Sequence, residues 1–157
     1  MKHTLILLSV FLFSFIAISC TSSSSSSSTT STDNSTTTST GLFVTGGQSG
    51  TILTSPEGTT WTSRTSGTTE NLTGVTYGNN TFVSVGYSGT ILTSPDGTTW
   101  DNRTSGTYNH LDGVTYGNGL FVTVGSFGTI LTSTDGTTWT SSSSGTSKLL
   151  HGVTYSQ

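Results

Sequence analysis

Charge is scarce in this chain of 157 residues: Asp, Glu, Lys and Arg together make up 7% of it. After Lys2 the basic residues are Arg64, Arg103 and Lys148, set against seven acids. Such a surface has no run of cations to offer a phosphate backbone, which argues against nucleic acid as a partner. Cysteine occurs once, as Cys20, so no disulfide can close within the chain. No apolar run reaches the roughly 20 residues a transmembrane helix needs. The longest, Leu5 to Ile18, has 14. Good helix formers are few after residue 20. Thr, Ser and Gly dominate instead, with 20 glycines. β-Branched Thr favours strands and Gly supplies the positive φ angles of turns, so the composition points to short strands and tight reversals.

The N-terminus reads as an address. Lys2 and His3 precede the apolar run, whose length suits a signal-peptide core. The run ends in Ala17-Ile18-Ser19-Cys20. This resembles the lipobox of bacterial lipoproteins, with Ala17 where Leu is usual. The resemblance implies a signal peptide over 1–19, lipidation of Cys20, membrane association through that N-terminal lipid, and a location at the bacterial cell envelope. Residues 21–40 are Ser and Thr apart from Asp33 and Asn34. They cannot bury apolar area to offset the entropy of ordering. The expectation for 20–40 is a lipidated cysteine followed by a disordered tether. Its reach is about 25 Å, at 5–6 Å times the square root of its length.

Residues 41–157 repeat. Gly50-Thr51-Ile52-Leu53-Thr54-Ser55 returns at Gly89 and again at Gly128, a step of 39 residues each time. Trp61, Trp100 and Trp139 keep that step, as do Gly74-Val75-Thr76-Tyr77, Gly113 to Tyr116 and Gly152 to Tyr155. Each unit predicts four short strands. In one unit these are Gly113–Tyr116, Leu120–Val124, Thr129–Thr132 and a strand opening at Thr138 or Trp139. Gly, Asn and Asp stand at the boundaries, where positive φ is wanted. Four strands in about 40 residues describe a propeller blade. The expected fold class is all-β, three four-stranded propeller-type blades built from 39-residue repeats.

Ser94-Pro95-Asp96-Gly97-Thr98-Thr99-Trp100 and Ser133-Thr134-Asp135-Gly136-Thr137-Thr138-Trp139 resemble the Asp-box, the bacterial neuraminidase repeat. The likeness extends over 41–157 and also fits the propeller repeats of photosystem II assembly factors. It implies a turn between the third and fourth strands of a blade, held by Ser94, Asp96, Gly97 and Trp100 and by Ser133, Asp135, Gly136 and Trp139. The first copy reads Ser55, Glu57, Gly58 and Trp61, and its longer acid should hold the turn less well. The Asp-to-Trp spacing is one residue shorter than the common form. In the family the box is structural, so these acids are expected neither to catalyse nor to bind metal.

The resemblance also invites a sialidase, an enzyme that needs three arginines around a carboxylate. The repeat supplies Arg64 and Arg103, with Ser142 at the third position, so the trio cannot be built in one chain. His110 and His151 fall in different repeat columns without a partner at metal-ligand spacing and read as exposed loop residues. No catalytic residue, metal or cofactor is expected. Binding remains. Positions that vary between repeats sit mostly in loops, and Tyr87, Tyr108, Phe127, Arg64 and Arg103 are the candidates for contact with an unknown protein or glycan. Leu72, Leu111 and Leu150 recur and read as core.

Three blades fall short of the four to eight that close a propeller. The repeats start at a second strand and end after a first strand. Two arrangements answer this: a homodimer completing a six-bladed ring, or an open arc, as in a fragment of a longer gene. The sequence favours a non-catalytic binding or scaffold module. A lectin with a pocket between blades is the alternative.

Overall fold

The computed structural model describes residues 41–157. The readings made at 1–19 and 20–40, Cys20 among them, lie outside the described residues. Among the described residues no helix is long and apolar enough to cross a membrane.

The described residues form eleven strands in three antiparallel sheets, in which chain neighbours are also ladder neighbours. The first holds β1 (Phe43–Gly46), β2 (Ile52–Ser55) and β3 (Thr62–Arg64). The second holds β4 (Leu72–Gly78), β5 (Thr81–Gly86), β6 (Ile91–Ser94) and β7 (Asp101–Arg103). The third holds β8 (Leu111–Gly117), β9 (Leu120–Gly125), β10 (Ile130–Ser133) and β11 (Thr140–Ser142). The architecture is all-β, an open set of propeller-type blades, and the first blade has three strands rather than four.

Tight hairpin turns make the meander possible. Ser49-Gly50, Ser88-Gly89 and Phe127-Gly128 all have φ between 51° and 70°, and Thr51, Thr90 and Thr129 close the turns by donating to the carbonyls of Gln48, Tyr87 and Ser126. Positive φ at both central residues defines the type I′ turn, whose twist matches that of the flanking strands. Asn79-Asn80 and Asn118-Gly119, at φ of 45° to 76°, do the same between β4 and β5 and between β8 and β9. Asn and Gly are the residues that tolerate this conformation.

Apolar packing lies between sheets. Ile52, Leu72, Leu92 and Trp100 fill the gap between the first and second, joined by Val44, Val75 and Phe82. Val83, Val85, Ile91, Leu111, Phe121 and Leu131 fill the gap between the second and third, with Trp139 against them. The central β6 is buried along its whole length, whereas β10 alternates, as expected for a sheet covered on one face. Each blade is thus held by its neighbours, the nearest-neighbour logic of repeat proteins.

The boundaries differ from those read in the sequence: the second strand ends at Gly125 rather than Val124, the third runs Ile130–Ser133 rather than Thr129–Thr132, and the largest changes are at the two ends of the blade. The first strand of each full blade starts earlier, at Leu72 and Leu111, and a bulge before Gly74 and Gly113 lets that leucine reach the core. The last strand starts later, at Thr140 rather than Thr138 or Trp139. The Trp139 indole N–H turns back to the Gly136 carbonyl at 2.9 Å, so the tryptophan belongs to the turn.

Candidate functional site

In an antiparallel meander, alternate loops lie at opposite ends of the strands. One end carries the loops between the third and fourth strands of each blade. Here Ser94 Oγ accepts from the Gly97 N–H at 2.7 Å and donates to Asp96 Oδ1 at 3.1 Å. Asp96 Oδ1 accepts from the backbone N–H of Thr98 at 2.8 Å and of Thr99 at 3.0 Å. The Trp100 indole donates to the Gly97 carbonyl at 3.0 Å. Ser133, Asp135, Gly136 and Trp139 repeat this set. In the first blade Ser55 still accepts from Gly58 at 2.8 Å. Glu57, longer by a methylene, takes one backbone N–H, that of Thr60 at 3.0 Å, and the Thr59 hydroxyl.

These bonds favour the ionised acids. The Thr99 N–H, with the Thr98 hydroxyl and N–H, holds Asp96 well below the ordinary carboxylate range, and the Thr138 N–H with Thr137 does so for Asp135. Glu57 is lowered chiefly by the Thr60 N–H. The unfolded chain therefore takes up protons before the folded one. Stability is full above the ordinary Asp pKa of about 3.9 and drains as pH falls below it. Urea midpoints at pH 7, 4 and 3 should fall steeply for the native protein. The Asp96→Asn/Asp135→Asn double variant should start lower and fall less. Equal slopes would show that these turns do not report on pH.

The opposite end carries all five candidate binding residues. Tyr87 and Phe127 lie in the type I′ hairpins, Tyr108 in the loop leading to the next blade, and Arg64 and Arg103 at the ends of β3 and β7. Arg64 Nε donates to Thr54 Oγ1 at 2.9 Å and Arg103 Nε to Thr93 Oγ1 at 2.8 Å. Arg103 also meets Asp101 at 3.0 Å. Each arginine, on the outer strand of its sheet, is thus braced on the strand beside it.

Each blade has a groove beside its outer strand. That of the first blade, about 640 Å³, runs past Arg64 to Glu70. That of the second, about 410 Å³, is bordered by Arg103 and Tyr108. That of the third, about 700 Å³, is bordered by Phe127 and a Ser-rich wall at 141–144. The second and third share the Ser105-Gly106-Thr107 turn, so they adjoin. Tyr108 and Phe127 are 91% and 74% exposed. Tyr87 instead stacks on the His110 ring at 4.1 Å.

One role was missed in the sequence. His110 Nδ1 accepts the Ser88 N–H at 3.0 Å, as Asn71 Oδ1 accepts the Ser49 N–H at 2.9 Å. Glu70 Oε2 accepts from Ser88 Oγ at 3.1 Å and Asn109 donates to Thr129 Oγ1 at 2.9 Å. The loops between blades therefore brace the hairpins on both sides: Asn71 and His110 hold the one before, Glu70 and Asn109 the one after. The shared signal was an acceptor side chain at 71 and 110, and Leu149 in the third copy lacks one.

No family model matches the chain, and no curated protein does. Among solved structures it is similar to YCF48 bound to D1 peptide, with a TM-score of 0.56 and 20% identity. The match covers 66% of this chain and 36% of that one, so the chain spans about a third of that neighbour's length. The likeness supports a propeller-type fold.

Proposed function

We propose that this chain is a non-catalytic binding or scaffold module, held at a bacterial envelope by a lipidated Cys20, whose loop end receives an extended segment of a partner protein. Phe127 carries the reading. It stands at φ 57°, where its counterparts are Ser49 and Ser88, and it is 74% exposed. A left-handed conformation costs an ordinary side chain about 1–2 kcal/mol, and an exposed ring recovers little of that by burial. Strain of this kind collects where a side chain is wanted for contact. Tyr108 and Arg103 continue the path across the adjoining groove. Exposed aromatics and arginine are the usual anchors of a protein interface. The peptide bound by YCF48 is the class of ligand proposed. On this reading the Ser-Asp-Gly-Trp turns are Asp-boxes, scaffold rather than site, and the arginines, on outer strands of separate sheets, do not serve a sialidase.

The recurrence of one hydroxyl-lined groove per blade favours a second reading, a lectin. Arrays of overlapping envelope-protein peptides and of glycans, probed with the full chain, separate the two. Peptide binding is expected, weakened tenfold or more by Tyr108→Ser and by Phe127→Asn. Phe127→Asn should also stabilise the protein by about 1 kcal/mol, because Asn tolerates positive φ. Glycan binding in step with blade number would instead assign the lectin. Turnover of glycosides would end the non-catalytic reading.

A further inference from the structure

Among the described residues the exposed large apolar side chains fall into two sets. Tyr87, Tyr108 and Phe127 belong to the loop end just described. The other five are Phe43, Trp61, Tyr77, Leu149 and Tyr155, and all lie in the first blade, in the first strand of the second, or in the last residues of the chain. They mark the two ends of the row of blades.

At one end, β1 pairs with β2 and has no inner ladder partner among the described residues. In the full blades that place belongs to β4 and β8. At the other end, residues 150–155 lie where an inner strand would lie. Leu150 N–H donates to the Gly125 carbonyl at 3.1 Å, as Leu72 N–H donates to Gly47 at 2.9 Å. Tyr155 sits over Gly117, as Tyr116 sits over Gly78. Yet the segment 150–155 forms no ladder. Among the described residues one end lacks an inner strand, and the other carries an unpaired segment, Gly152-Val153-Thr154-Tyr155, with the sequence of Gly74–Tyr77.

We infer that the two ends join between copies: the segment 150–155 of one chain completes the first blade of a second chain, and two chains close a six-bladed ring. The full blades dictate the register. Gly74, Val75, Thr76 and Tyr77 pair with Val85, Ser84, Val83 and Phe82. Carried over by the 39-residue step, Gly152, Val153, Thr154 and Tyr155 face Gly46, Thr45, Val44 and Phe43 of the other copy. Each full blade holds an aromatic pair, Tyr77 with Phe82 at 4.5 Å and Tyr116 with Phe121 at 4.6 Å. Tyr155, 45% exposed, and Phe43, 56% exposed, are the separated halves of a third. The N–H groups of Tyr87 and Ser126 donate to the carbonyls of Asn71 and His110 at 2.9 Å, and Gln48 would find its equivalent in Leu149 of the other copy.

Trp61 fits the same seam. Trp100 and Trp139 pack on the preceding sheet and are shielded, whereas Trp61, with no preceding sheet among the described residues, is 41% exposed. Ile130, half-buried, is the counterpart of the Ile52 and Ile91 that cover the other two, and would cover it. Pairing stops at Tyr155. Ser156 stands where Gly78 and Gly117 stand, and a Cβ there meets the next tyrosine ring. Two sets of the three described blades make six, within the four to eight that close a ring.

The test is the mass of the detergent-purified full chain by light scattering, with disulfide trapping in membranes. Twice the protomer mass is expected. Val44→Cys with Thr154→Cys should give a covalent dimer, since opposed Cα atoms at 4.5–5.5 Å suit a disulfide. Either cysteine alone, or Val44→Cys with the off-register His151→Cys, should give none. Tyr155→Ser should yield protomers with an unchanged β-sheet circular dichroism spectrum. A protomer mass for the native chain overturns the inference. So do trapping by the off-register pair, a ladder of trimers and tetramers in place of the dimer, and a dimer indifferent to Tyr155→Ser.

Discussion

Trp100→Ala is expected to cost about 3–5 kcal/mol, the range for truncating a large buried aromatic. The indole is 9% exposed and packs with Ile52, Leu72 and Leu92 in the gap between the first and second sheets. Its ring lies 6.5 Å from that of Phe82, and its N–H closes the Ser94–Trp100 turn on Gly97. Alanine removes the plug of the interface and the tie of the turn together. No other layer compensates, because each sheet is held by its neighbours. Domains of this size hold about 0.05–0.15 kcal/mol per residue, so the loss is a large part of the whole. At roughly 4 °C per kcal/mol, the melting temperature should fall by about 12–20 °C. Thermal melts followed by near-ultraviolet circular dichroism read this directly. A folded variant with an unshifted melt would show that the tryptophan is surface rather than core.

The contrast with Trp61 shows what the sequence could and could not reveal. The 39-residue step exposed the strands, the turns and the recurring Ser, Gly and Trp, because each is dictated by a local need: positive φ, an acceptor for turn amides, a β-branched strand. Trp61, Trp100 and Trp139 read alike in that light. Their burial differs because it depends on what precedes the blade in the row, which no local pattern encodes. The same holds for Phe127. Its neighbour Gly128 announces a turn, but the strain at Phe127 follows from the turn being type I′, where the residue before the glycine must also be left-handed. His110 was read as a plain loop residue, and its ring is indeed exposed. Its hydrogen bond to Ser88 lies 22 residues away and needed the fold to be seen. At the candidate site, residue types pointed to aromatics and arginines in loops. That all five share one end of the blades came from strand alternation.

Gly89→Ala should be nearly as damaging as the loss of Trp100, for a reason that separates two effects of glycine. Gly89 has φ 70°, and a Cβ built there falls 2.0 Å from the Thr107 carbonyl oxygen. That oxygen belongs to backbone: Ser105 Oγ donates to it at 3.0 Å, which fixes the loop between β7 and β8. It cannot step aside as a flexible side-chain tip would. Gly106 has a similar φ, 76°, with nothing within 4 Å of its Cβ. Gly106→Ala therefore measures the conformational penalty alone, about 1–2 kcal/mol. Gly89→Ala adds displacement of the loop, which also undoes the brace from Asn109 to Thr129 in the next hairpin. A total of about 3–4 kcal/mol is expected, within the range of overpacking added to backbone strain. Chemical denaturation of the two variants side by side gives the difference. If both lost the same small amount, the hairpin and the loop that follows β7 would not be in the close contact on which the stacking of one blade against the next depends.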